Sequence, residues 1–121
     1  VAKTVQSRKA KGRRLQQLVR DRIIASFPEL TLDDVRSTSM GAGGTDVLLS
    51  AKAKSLFPYA VECKAQEGYK KLYDAFDQAN EHSAGKNEEL NTFPLLVIKS
   101  NNKEPLAVVS FDYFMRLVKR Q

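Results

Sequence analysis

The chain reads as α/β, a central mixed β-sheet flanked by helices. Three observations predict this. Apolar residues recur at three- and four-residue spacing in three segments, the mark of helices with one buried face. Short apolar runs lie between them, with the length and bounding turn residues of strands. One helical segment joins two such runs, the connection that a parallel pair requires. The predicted order is α-β-β-β-α-β-β-α.

The first helix is expected over 13–27, where Leu15, Leu18, Val19, Ile23 and Phe27 form an apolar stripe and Pro28 stops the helix. Residues 1–12 carry Lys3, Arg8, Lys9 and Lys11 with few large apolar side chains, and read as a flexible basic arm ahead of a single domain over 13–121. A strand is expected at 35–38. The glycine-rich stretch 39–45 lacks the Gly-Lys-Ser/Thr ending of a phosphate-binding loop, and a strand follows it, so it reads as a tight turn that lets backbone approach a ligand. Asp46 opens a strand ending at Ser50, which caps a short helical turn over 51–57 stopped by Pro58. The next strand, 59–64, alternates so that Glu62 and Lys64 share one face and Val61 and Cys63 the other.

A second helix is expected over 69–82, burying Leu72, Tyr73, Phe76 and Ala79, followed by a polar loop over 83–91. The run 93–99 is almost continuously apolar, as in a strand covered on both faces and parallel to 59–64. A turn over 101–105 leads to a strand at 106–109. Ser110 then caps a last helix, 111–119, with Phe114, Leu117 and Val118 inward.

The 121 residues carry a net charge of +6, which favours a polyanionic partner, nucleic acid before an anionic membrane surface. One cysteine excludes an internal disulfide framework and fits a reducing cytoplasm. The single histidine, His82, has no cysteine or second histidine to complete a zinc set. No apolar run reaches membrane-spanning length, and no apolar signal core is expected at the N-terminus. The numbering opens without an initiator Met, as in a chain that starts inside a longer one.

The chemistry-bearing pattern is Asp46 at the head of one strand and Glu62-Cys63-Lys64 on the next. Two carboxylates beside a lysine suit a hard divalent cation next to a phosphate. A Glu-x-Lys tripeptide alone is a weak signal, ordinarily a salt-bridged strand face. Its place on a strongly apolar run, with an aspartate heading the preceding strand, strengthens it.

The arrangement Asp46 … Glu62-Cys63-Lys64 resembles the PD-(D/E)xK nuclease superfamily, whose restriction-endonuclease-like core has the same order of elements. Lys11-Gly12-Arg13-Arg14-Leu15-Gln16-Gln17 and Arg36-Ser37-Thr38-Ser39 ahead of Asp46 resemble phage-encoded and archaeal Holliday-junction-resolvase-like members. Two positions depart from the pattern. Thr45 replaces the usual proline, and Gln16 stands where many resolvases align a glutamate ligand.

The resemblance implies a Mg²⁺- or Mn²⁺-dependent DNA endonuclease with one or two ions per site. Asp46, Glu62 and the Cys63 carbonyl would bind metal, Lys64 would orient the attacking water, and Gln16 would assist as a neutral catalytic residue. Lys9, Lys11, Arg13, Arg14, Arg36, Ser37, Ser39, Gln66 and Gln78 would contact DNA. Branched DNA or a Holliday junction is the implied substrate, cut by a homodimer to leave 5′-phosphate and 3′-hydroxyl ends. Phe111 and Met115 are candidates for the dimer interface. The implied setting is DNA recombination in a host cytoplasm or nucleoid. Nonspecific or sequence-specific cleavage is the alternative within the class. A catalytically inactive DNA-binding module of the same fold, or a basic structural protein of a nucleoprotein assembly, is the alternative outside it.

Overall fold

The first helix, α1, is longer than its apolar stripe. In the computed structural model, which describes residues 5–38, 45–83 and 92–120, it runs Val5–Ser26. Residues expected in a flexible arm thus form its first two turns. Ala10 and the surrounding Gln, Lys and Arg are good helix formers, so helix needs no apolar face there. The buried stripe is Gly12, Gln16, Val19, Ile23 and Phe27. Leu18, assigned to that stripe from spacing, is 45% exposed, and the buried polar Gln16 stands nearer the stripe's axis.

The chain divides into two compact units, Val1–Gln66 and Glu67–Arg120. In the first, α1 packs on a hairpin of β1 (Val35–Ser37) and β2 (Val47–Leu49). The strands are antiparallel, with Val35 opposite Leu49, Arg36 opposite Leu48 and Ser37 opposite Val47. Period two gives the hairpin a core face and a solvent face. Val35 and Val47 are buried, while Arg36 and Leu48 are exposed. A short helix, α2 (Ala51–Leu56), follows β2. Ser50 caps it by accepting the Ala53 N–H at 3.1 Å, as expected from the sequence. Ile23, Ala53 and Phe57 complete the core, each large apolar side chain contributing about 1.5–3 kcal/mol by burial.

Asp34 ties the base of this hairpin. Its Oδ2 accepts the Thr31 N–H at 3.0 Å and its Oδ1 accepts the Ser50 hydroxyl at 2.8 Å, while its carbonyl accepts the Ser50 N–H at 2.8 Å. The hydrogen bond from the Thr31 backbone, then that from Ser50, hold its carboxyl below the ordinary value of 3.8. A depressed carboxyl favours the fold while it is ionised. This contribution is complete above the unfolded value and is lost as pH falls through the lower folded one. Asp34→Asn should therefore flatten the acid limb of a stability-against-pH curve and lower Tm at neutral pH. An unchanged acid limb in thermal melts from pH 2 to 7 would contradict this.

The expected third strand, 59–64, is not a strand. The segment alternates in exposure, but its backbone is joined to the β1–β2 hairpin through Asp46, just ahead of β2, alone among the described backbone hydrogen bonds. Pro58, at the start of this segment, has no N–H to give to a ladder. The parallel pairing of 59–64 with 93–99 is accordingly absent among the described residues.

The second unit starts with a 3₁₀ turn, Glu67–Tyr69, and helix α3 (Lys70–Ser83). Leu72, Phe76 and Ala79 are half-buried, but Tyr73 is exposed. Strands β3 (Leu96–Ile98) and β4 (Leu106–Val108) form a second antiparallel hairpin, with Val97 opposite Ala107. Asn102 turns it with φ 62°, a left-handed conformation that asparagine tolerates better than most residues. Phe93, Leu95 and Val97 are half exposed or more, so this run is not covered on both faces. Helix α4 (Phe111–Lys119) is capped by Ser110, which accepts the Tyr113 N–H. It buries Met115 and Val118 and leaves Leu117 exposed. Burial withdraws Met115 from the surface on which a dimer contact was expected.

The architecture is thus mixed helix and strand with two separate two-stranded antiparallel sheets, rather than one central mixed sheet. Of the expected loops, residues 39–44 and 84–91 lie outside the described residues. Among the described residues, no helix is long and apolar enough to cross a membrane.

Candidate functional site

Asp46 is held by its neighbours at both backbone groups and at the side chain. Its N–H donates to the Val61 carbonyl at 3.0 Å. Its carbonyl accepts the Thr38 N–H at 3.0 Å and the Thr38 hydroxyl at 3.1 Å. Its Oδ2 accepts the Cys63 N–H at 2.6 Å, a short charge-assisted bond. The residue heading β2 is therefore clipped to the segment that carries Glu62 and Lys64, seventeen positions from Asp46 at Cys63.

Along that segment Val61 and Cys63 are half-buried, and Glu62 and Lys64 are exposed. Cys63 is a free thiol. Burial first, then the negative charges of Asp46 and of Glu62, push its pKa up from 9.0. Both carboxylates thus lie within electrostatic reach of one sulfur. The thiol stays protonated at neutral pH and is a poor metal ligand and nucleophile.

The donors that the sequence reading names on these two segments, the Asp46 and Glu62 carboxylates and the Cys63 carbonyl, are all hard oxygens. That set fits Mg²⁺ or Mn²⁺, which retain several waters, better than zinc. Among the described residues there is no cluster of three or more His, Cys, Asp or Glu side chains that could hold a metal ion.

Gln16 is buried at 2% exposure on the inner face of α1, which packs on β1 and β2. It lies in the same unit as Asp46 and Glu62. Arg36 is exposed on the outer face of the hairpin, the face to which strand alternation also assigns Thr38, Asp46 and Leu48. Ser37 is half-buried on the opposite face. Lys9, Arg13 and Arg14 are exposed on α1 and Lys11 is half-buried. Gln66 is exposed at the end of the first unit. Gln78 is exposed on α3, in the second unit. Ser39 lies outside the described residues.

Two features escaped the sequence. Thr38 closes on Asp46 because the β1–β2 register, extended by one pair, sets them opposite each other. A groove of about 400 Å³ also opens between Thr45 with Val47 and Leu49 of β2 on one side and Pro58, Tyr59 and Ala60 of the following segment on the other, with Lys54 of α2 in its lining. Pro58-Tyr59 after a capped helix was the available signal, since proline cannot continue a helix and pushes the chain aside.

Comparison with protein-family models, with curated proteins and with solved structures found no match.

Proposed function

We propose that this chain is a metal-dependent endodeoxyribonuclease of the PD-(D/E)xK type, acting on branched DNA. The observation that carries the proposal is the Asp46 clip. Its carboxylate accepts the Cys63 N–H, so Asp46 stands against the Glu62–Lys64 segment although no strand ladder joins them.

Asp46, Glu62 and the Cys63 carbonyl would hold Mg²⁺. The bound ion would supply a polarised phosphoryl oxygen and a water of lowered pKa. Lys64, exposed two positions after Glu62, would orient that water and offset charge developing on the phosphate. Exposed Arg36, Arg13 and Arg14 would hold backbone phosphates, contacts that position DNA without reading its sequence. With a net charge of +6 and no recognisable base-reading element, selectivity for DNA shape is favoured over selectivity for sequence. Paired cuts in a junction would require a symmetric dimer.

The test is cleavage of a labelled four-way junction in Mg²⁺, beside a linear duplex and a single strand of the same sequence. Paired nicks confined to the junction are expected, with activity lost in Lys64→Ala. Equal cutting of all three substrates would remove the branched-DNA assignment and leave the nuclease. Binding of the junction without cutting in Mg²⁺ or Mn²⁺ would favour the second reading, a DNA-binding module, to which the neutral Gln16 in place of a glutamate also points.

A further inference from the structure

The β1–β2 hairpin diverts one of its own bonds at Asp46. Residues directly opposite each other in an antiparallel ladder alternate between pairs that exchange two N–H···O=C bonds and pairs that exchange none. The register, continued past the strand ends, sets Thr38 opposite Asp46 and Asp34 opposite Ser50. Ser50 donates its N–H to the Asp34 carbonyl, so that pair is of the exchanging kind, and the alternation gives the pair of Thr38 with Asp46 the same kind. Thr38 donates its N–H to the Asp46 carbonyl at 3.0 Å. The return bond is missing among the described hydrogen bonds, because the Asp46 N–H goes to the Val61 carbonyl at 3.0 Å.

The Thr38 hydroxyl takes the place of that bond. It donates to the Asp46 carbonyl at 3.1 Å, with the Thr45 carbonyl as a second acceptor at 3.4 Å. The Asp46 carbonyl therefore receives two bonds from one residue of the hairpin, while the Asp46 N–H and Oδ2 serve Val61 and Cys63. We propose that Thr38 is a positioning residue for Asp46, holding its backbone to β1 so that its carboxylate stays against the segment that carries Glu62 and Lys64. The bearing of this on metal binding rests on the nuclease reading.

Two properties suit threonine to the position. Its hydroxyl is close enough to the main chain to bond a backbone carbonyl, which only serine shares among residues of this size. Its branched Cβ fits the extended chain at the end of a strand. The bond is partly buried, so water competes with it less than at an open surface. Partners that orient a metal ligand from behind change metal affinity by about tenfold or more when removed.

The test compares the full chain with Thr38→Val, which keeps the branched shape and the N–H without the hydroxyl, and with Thr38→Ser, which restores the hydroxyl. Amide hydrogen exchange is followed by NMR in the absence of metal, and Mn²⁺ binding by electron paramagnetic resonance. In Thr38→Val, exchange at Asp46 and Cys63 should quicken and Mn²⁺ affinity should fall about tenfold, with Ser50 at the other end of the hairpin unchanged. Thr38→Ser should return both to near the wild-type values. Unchanged exchange at Cys63 in Thr38→Val would overturn the proposal whether or not the wild type cuts DNA. Equal quickening at Ser50, or Mn²⁺ affinity equal to that of a wild type that binds the ion, would overturn it too, leaving Thr38 as a stabiliser of the hairpin only. Quickened exchange confined to Asp46 and Cys63, in a protein whose wild type neither binds Mn²⁺ nor cuts DNA, would keep Thr38 as the residue that places Asp46 and remove the nuclease.

Discussion

Asp46→Asn is expected to lower DNA cleavage in Mg²⁺ by about a thousandfold or more while leaving the fold and DNA binding in place. The amide keeps an oxygen that can accept the Cys63 N–H, so the clip survives. What it loses is the charge that a divalent cation needs. Asp46→Ala loses both, and its Tm should fall below that of Asp46→Asn. The two variants thus separate the ligand from the clip. Two measurements check this: single-turnover cleavage, and Mn²⁺ binding followed by electron paramagnetic resonance. Cleavage within about tenfold of wild type in Asp46→Asn would remove Asp46 from the chemistry. Unchanged Mn²⁺ binding would remove it from the metal.

Phe57→Ala should have the largest effect on stability. Phe57 is 1% exposed, donates its N–H to the Ala53 carbonyl at 2.7 Å to close α2, and carries the Tyr59 ring on its own. Phe-to-Ala changes at such sites cost about 3–5 kcal/mol, a large part of the roughly 5–15 kcal/mol that holds a domain together. Phe57→Leu keeps most of the volume and should cost about 1.5 kcal/mol or less. Urea titration by circular dichroism measures both. A cost under about 1 kcal/mol for Phe57→Ala would mean that the cavity collapses and that Phe57 does not organise this core.

Local signals in the sequence were legible. Val19 and Ile23 on α1 and Phe27 just after it are buried as their spacing requires, Pro28 follows, and Ser50 and Ser110 cap the helices they precede. The 101–105 turn needs one left-handed residue, and Asn102 provides it. Pairing between distant segments was not legible. The alternation of 59–64 is visible in its exposure, but whether alternation becomes a ladder depends on what pairs with its backbone, and among the described backbone hydrogen bonds Asp46 alone does so from the β2 side. The apolar run 93–99 fits a doubly covered strand, yet Leu95 and Val97 are exposed, because apolar content does not say which faces find a neighbour. Gln16 was read from the sequence as a site candidate, but its burial was not, since an amide and Gly12 contribute little to an apolar stripe and are nonetheless buried along it.

The charge on α1 has a consequence of its own. The first turn holds no acidic residue, and Arg8, Lys9 and Lys11 crowd the end of the helix where the backbone dipole is already positive. Lys9 and Arg13, four residues apart, repel along one side. The opening turns therefore form against their own field, and anything that screens or neutralises that field lengthens the helix. A polyanion laid along these turns would relieve that repulsion most strongly.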